Sequence, residues 1–209
     1  LYTSITEVAG EPDPDPTPVS KTIAEVLAAE SGLYTTTGTV AAINARSFVL
    51  TANNSSILVY LGSSWTCDVA VGDKLTVTGN TTTYAGAVQF GETSTYTKDG
   101  TETFTAPTAT ELDGAKITEI AGLSTVTLQY VKVTGTIAIS GNYVNVNIDG
   151  TEMIGSVTYP ADAEAVKAFD GKKVVIEGYY TGISSGKYFN LLYTSITEVA
   201  GEPDPDPTP

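Results

Sequence analysis

Residues 142–149 read Asn-Tyr-Val-Asn-Val-Asn-Ile-Asp, a complete alternation of apolar and polar positions. Successive side chains of a strand point to opposite faces, so Val144, Val146 and Ile148 turn inward while Tyr143, Asn145, Asn147 and Asp149 turn outward. An aromatic ring beside two carboxamides on one row can stack on, and hydrogen-bond to, a sugar or a base. The plainer reading is an antiparallel sheet that is polar on its wet side. Two more aromatic candidates stand elsewhere. Tyr84 is one; the other is Trp65, which lies in a connection near Cys67 and serves either as a core plug or as an exposed platform.

Other chemistries meet simple obstacles. Residues 182–186, Gly-Ile-Ser-Ser-Gly, match the nucleophile-elbow pattern, but the chain has no histidine to act as the usual base and the segment falls in a turn between strands. The missing histidine also excludes imidazole catalysis, histidine-bound zinc and a switch near neutral pH. No acidic pair stands out as a glycosidase dyad. Asp13, Asp15, Asp204 and Asp206 sit between prolines, where carboxylates cannot converge into the roughly six to eight oxygens that calcium demands. One cysteine, Cys67, allows no intramolecular disulfide and no cysteine zinc or iron-sulfur site, and its simplest role is that of a small buried hydrophobe. The expectation is a protein that is not an enzyme and binds no cofactor or metal.

Charge weighs on the choice of partner. Against 10 Lys and Arg stand 24 Asp and Glu, for a formal net charge of -14, and Arg46 is the single arginine. Neutralising phosphates requires a cationic footprint. The aromatics for stacking bases exist (Tyr34, Tyr60, Tyr84, Phe90, Tyr179, Tyr180), and Lys172, Lys173 and Lys187 form the best cationic patch if they gather at one end of a module. Residues 1–18 and 198–209 together hold eight of the acids, so much of the acidity belongs to the chain ends.

The elements that must position these residues are mostly strands. With 41% hydrophobic residues the chain can build a core, and 34 Thr, 20 Gly and 12 Tyr beside many Val and Ile suit pleated, half-buried sheets. No apolar run reaches the roughly 20 residues of a membrane helix, and no basic-then-apolar signal segment opens the chain.

Internal repeats organise the sequence. Residues 1–18 (LYTSITEVAGEPDPDPTP) recur without change as residues 192–209. Either one segment was transferred to both ends, or the chain is a window on a longer tandem array; we read it as the latter. Proline at every second position forbids helix and ladder donation, giving a semi-rigid extended spacer. Residues 1–18 are then the end of an upstream strand plus its linker, and 200–209 are the following linker. Residues 1–9 can occupy the matching strand slot of another chain, cover an open barrel edge, or fray.

A second repeat divides the body into modules 19–106 and 107–199. Lys21-Thr22-Ile23-Ala24-Glu25-Val26-Leu27 resembles Lys116-Ile117-Thr118-Glu119-Ile120-Ala121-Gly122. Thr37-Gly38-Thr39-Val40 matches Thr134-Gly135-Thr136-Ile137, and residues 72–79 match 171–178. Each module predicts a leading helix (22–29 in the first) and a long first strand with an internal glycine suited to a bulge or bend (33–43; 128–139). Two shorter strands follow (47–51 and 57–61; 143–148 and 153–158), then a connection, helical over 160–169 in module two and a loop over 63–71 in module one. Strands 75–80 and 88–97, or 174–180 and 188–199, finish the modules.

Three strands, a connection and two strands is the order of a five-stranded Greek-key barrel, the OB-fold. The Thr-Gly-Thr-Val/Ile pairs and Val-Gly-Asp-Lys-Leu-Thr-Val-Thr-Gly resemble the first and fourth strands of OB-fold modules. With a leading helix of the Thr-Ile-Ala-Glu-Val-Leu type, the modules are similar to those in surface and secreted proteins of gut Bacteroidetes. The fold expectation is mostly β: two tandem five-stranded OB-fold-like barrels with short helices and proline-rich linkers. The resemblance implies a secreted or cell-surface bacterial location and a non-catalytic binding or spacer role. An unknown protein or a glycan is the expected partner, with single-stranded nucleic acid or carbohydrate binding as alternatives. OB-folds take ligands on the face of their second and third strands, which in module two carries the Tyr143 row. The aligned row of module one, Val49, Thr51 and Asn53, looks bland.

Overall fold

The structure, a computed structural model, describes residues 17–199. Its first helix is written in the sequence. Thr22 accepts a hydrogen bond from the Glu25 amide at 3.3 Å, and the Glu25 carboxylate accepts one from the Thr22 amide at 2.8 Å. This reciprocal capping box starts a helix whose Ile23 and Val26 are fully buried in the core.

The first module contains β1 (Val19–Ser20), α1 (Ile23–Leu27), β2 (Leu33–Ile43), β3 (Ser47–Ala52), β4 (Ser55–Tyr60), β5 (Asp73–Tyr84), β6 (Ala87–Phe90) and β7 (Thr95–Thr101). The second contains β8 (Thr110–Leu112), α2 (Gly114–Ala121), β9 (Gln129–Ser140), β10 (Tyr143–Ile148), β11 (Ile154–Val157), α3 (Ala163–Lys167), β12 (Lys173–Ser184) and β13 (Tyr188–Glu198). Ladder β2-β3-β4-β6-β5 closes through β5 back onto β2, and β9-β10-β11-β13-β12 closes onto β9 in the same order. The chain is therefore two closed five-stranded barrels with the Greek-key order expected of OB-like modules.

Both first strands serve two neighbours, and a glycine marks the handover. β2 pairs with β5 through residues 33–39 and with β3 through 39–43. β9 pairs with β12 through 129–136 and with β10 through 135–140. The bulge expected at the glycine lies instead between Val40 and Ala42. Gly38 and Gly135 answer to close approach: a Cβ at Gly135 would lie 2.5 Å from the Asn147 carbonyl oxygen, and one at Gly38 would lie 2.8 Å from that of Thr51. Because both obstacles are backbone, Gly135→Ala must push β10 off β9. We expect a loss of about 1–3 kcal/mol, read as a lower urea midpoint at unchanged slope.

Three expectations are corrected. The single last strand over 88–97 is split into β6 and β7 around a turn in which the Gly91 amide donates to Asn80 O and the Ser94 amide to Gly91 O. β6 completes the barrel beside β4, and β7 extends along β5. In module two, β13 does both tasks unbroken. The helix over 160–169 is shorter, α3 being capped by Asp162, whose carboxylate accepts from the Ala165 amide at 2.9 Å. Cys67 is exposed rather than buried. The two short parallel strands β1 and β8 were not foreseen. Residues 1–9 and the 200–209 linker, with the strand-exchange expectation, lie outside the described residues.

Each barrel has its own core, but a third apolar cluster joins them. Ala41, Ala42, Val49 and Ala87 of the first barrel are buried against Leu128, Tyr179 and Leu192 of the second. Cross-barrel hydrogen bonds flank this seam: Val126 N donates to Gly86 O at 3.0 Å, Ile183 N to Ala85 O at 2.9 Å, and Ala45 N to Tyr159 O at 2.9 Å. Val49 belongs to the outward row that looks bland in the sequence. Its face is instead covered by the second barrel.

Candidate functional site

The seam opens at one side into a pocket of about 180 Å3 contributed by both barrels. Tyr60 closes β4, Tyr84 closes β5 and Gln89 lies on β6; from the second barrel come Thr158 and Tyr159 after β11, Thr181 on β12 and Asn190 on β13. Among the described residues no charged side chain lines it.

Tyr159 is held in place by three independent contacts. Its φ of +45° is left-handed backbone, which costs a bulky residue about 1 kcal/mol and occurs where the surroundings over-determine it. Its carbonyl accepts the Ala45 amide across the seam. Its ring lies 4.3 Å from the Arg46 guanidinium carbon and 6.4 Å from the Tyr60 ring. Burial pushes the Tyr159 phenol above its ordinary pKa, aided by the nearby Tyr60 phenol and opposed by Arg46. It is thus a neutral donor and acceptor at physiological pH.

The amides divide into structural and available ones. Asn44 is committed: its Oδ1 accepts from Arg46 N at 2.9 Å and Ser47 Oγ at 2.8 Å, and its Nδ2 donates to Thr158 O at 3.1 Å, pinning the barrels together. Asn190 Oδ1 accepts from Ser184 Oγ at 3.0 Å, which leaves its Nδ2 for the pocket. Gln89 is only 7% exposed, and among the described residues its carboxamide has no hydrogen-bond partner. A nearly buried polar group facing an open pocket is the arrangement a polar ligand completes.

A larger groove of about 820 Å3 opens near Phe104, Leu128 and Tyr130. Several of its polar groups already have partners. Glu102 takes Thr39 Oγ1 and pairs with Lys74 at 3.0 Å, and Tyr130 Oη lies 2.8 Å from Thr194 Oγ1 and 3.2 Å from Glu177 Oε2. A ligand at those groups would have to displace satisfied pairs.

The candidates singled out from sequence land in three places. Tyr84, 58% exposed, forms the pocket rim. Trp65 is a half-buried plug: its ring lies 6.0 Å from Phe48 and its Nε1 donates to Tyr96 Oη at 3.0 Å. Tyr143, Asn145, Asn147 and Asp149 share the outer side of β10 as the alternation required. Tyr143 and Asn147 are exposed, Asn145 is half-buried, and Asp149 pairs with Lys173 at 2.7 Å.

The supposed stacking aromatics and cationic patch fare differently. Phe90 and Tyr180 are core residues and Tyr179 is sealed in the seam. Lys172 and Lys173 begin the β12–β13 hairpin whereas Lys187 sits at its turn. A 12-residue strand separates them by roughly 35–40 Å, so no patch forms. Sequence reasoning missed Tyr159, Gln89 and Asn190. A signal for Asn190 was present, an amide interrupting the apolar run from Phe189 to Leu192; Tyr159 was flagged only by the proline after it.

No family model matches the chain, and no curated protein matches it. Among solved structures the chain is similar to one described as "Structure of murine DNA binding protein bound with ds DNA", at 10% identity and a TM-score of 0.41, covering 83% of this chain and 100% of that one. The fold assignment rests on the barrel strand order and not on that likeness.

Proposed function

We propose that this chain is a non-catalytic binding segment that takes a neutral, polyhydroxylated ligand of the carbohydrate class in the cleft between its barrels. The observation that carries this reading is the cleft wall: three phenol rings with the unpartnered Gln89 carboxamide and the Asn190 Nδ2, and no charged lining among the described residues. Aromatic faces stack on the C–H faces of sugar rings, and amides satisfy hydroxyls as both donors and acceptors. Resemblance of the modules to those of Bacteroidetes surface and secreted proteins supports placing the segment in such a protein. The proline-rich spacers favour multivalent contact there.

Electrostatics argue against nucleic acid. Seven of the ten cations are in ion pairs with carboxylates, and the other three, Lys21, Arg46 and Lys187, lie over aromatic rings. Little counterion release is left to drive association.

Titration calorimetry against a panel of neutral oligosaccharides and a single-stranded oligonucleotide, each at low and high salt, tests the reading. A glycan should bind with little salt dependence, and Tyr84→Ala and Gln89→Ala should each weaken it about tenfold, or about 1.4 kcal/mol. Oligonucleotide binding that vanishes with salt would transfer the cleft to nucleic acid. Silence from every glycan would leave the spacer role.

A further inference from the structure

The cleft is too small for a whole oligosaccharide. Its 180 Å3 falls below the roughly 300–1,000 Å3 of pockets that enclose drug-sized ligands, which leaves room for one ring-sized unit. Resting on the reading above, we propose that it holds the end of a neutral sugar chain whose following units run across β11 onto the outer side of β10.

Strand register supplies the track. Asn190, inside the cleft, pairs with Ser156 of β11, and Ser156 pairs with Asn145 of β10. Neighbouring strands are about 4.8 Å apart, so the two carboxamides stand about 10 Å from each other on one lateral row, with a hydroxyl between them. All three side chains face away from the barrel core, in alternation with Val146, Val157, Phe189 and Leu191, which are buried.

Two residues beyond Asn145 along β10, about 7 Å further, stands Tyr143. At 72% exposure it is more exposed than any other large apolar side chain of the described residues. Such a ring has no packing role in its own barrel and offers a second stacking surface. The first charges met on β10's outer side are Asp149 and Lys173, already neutralised by each other at the far end of the strand. The path from the cleft to Tyr143 is therefore neutral, amide-bearing and capped by an aromatic ring at each end. An extended polyhydroxylated chain meets those requirements, and a polyanion gains nothing from them.

The test is length dependence. Gluco-, xylo-, manno- and galacto-configured oligosaccharide series, from the monosaccharide upward, are titrated against the full chain. For the series that binds, affinity should rise at least tenfold between the monosaccharide and the trisaccharide. Tyr143→Ala and Asn145→Ala should flatten that rise, whereas Tyr84→Ala should lower affinity at every length. Equal affinity at all lengths, or a length dependence untouched by Tyr143→Ala, overturns the track and leaves the cleft reading standing. Failure of every series at every length overturns both.

Discussion

Val49→Asp should part the two barrels and abolish ligand binding while leaving each barrel folded. Val49 is fully buried, yet it points away from its own barrel and against the second one. A lone carboxylate at that spot costs several kcal/mol of desolvation with no partner to offset it. The molecule has an escape that a core mutation lacks: opening the seam returns the charge to water, so the cost cannot exceed the docking energy. Small-angle scattering should show a larger radius of gyration with unchanged far-UV circular dichroism. Titration should find the cleft gone, because its two walls belong to different barrels. Global unfolding would instead show that the barrels depend on each other for stability.

A steep loss of stability between pH 10 and pH 12 is the second large effect. Burial pushes both Tyr179 and Tyr180 up to about 12 from the ordinary phenol value of 10, with the Tyr130 phenol adding to the shift at Tyr179. In that window the unfolded chain gives up these protons while the folded chain keeps them. The unfolded state then binds fewer protons, and stability falls as pH rises. Below pH 10 the contribution is fully present; by pH 12 each ring has cost about 2 kcal/mol. Urea titrations at stepped pH should follow this decline, and Tyr180→Phe should remove about half of it. That variant should also gain about 1 kcal/mol at neutral pH, since the Tyr180 hydroxyl is buried without a partner among the described residues. A decline unchanged by Tyr180→Phe would refute the assignment.

Much of the barrel architecture was legible because its signals are local. Alternation placed Val144, Val146 and Ile148 inside, and an internal glycine stands where each long first strand changes partners. Thr22 and Asp162 are of the residue types that cap helices, and both do so here. The division of the first module's last strand was harder to see. Gly91-Glu92-Thr93-Ser94 is good turn chemistry, but the flanking Val88-Gln89-Phe90 and Thr95-Tyr96-Thr97 are each strand-forming and together resemble one continuous strand.

Which face of each strand a residue occupies was determined by the sequence, because a period of two needs only near neighbours. What covers that face was decided by tertiary structure alone. Val49 and Leu192 point outward from their own barrels just as Tyr143 does, yet they are sealed and Tyr143 is bare, since docking brought together surfaces that no local period relates. The same holds for Lys172 and Lys187, neighbours in composition but placed at opposite ends of a hairpin. The cleft is the strongest case: Tyr60 and Tyr159 belong to different modules, and their rings meet only because an apolar seam brought two separately closed sheets together.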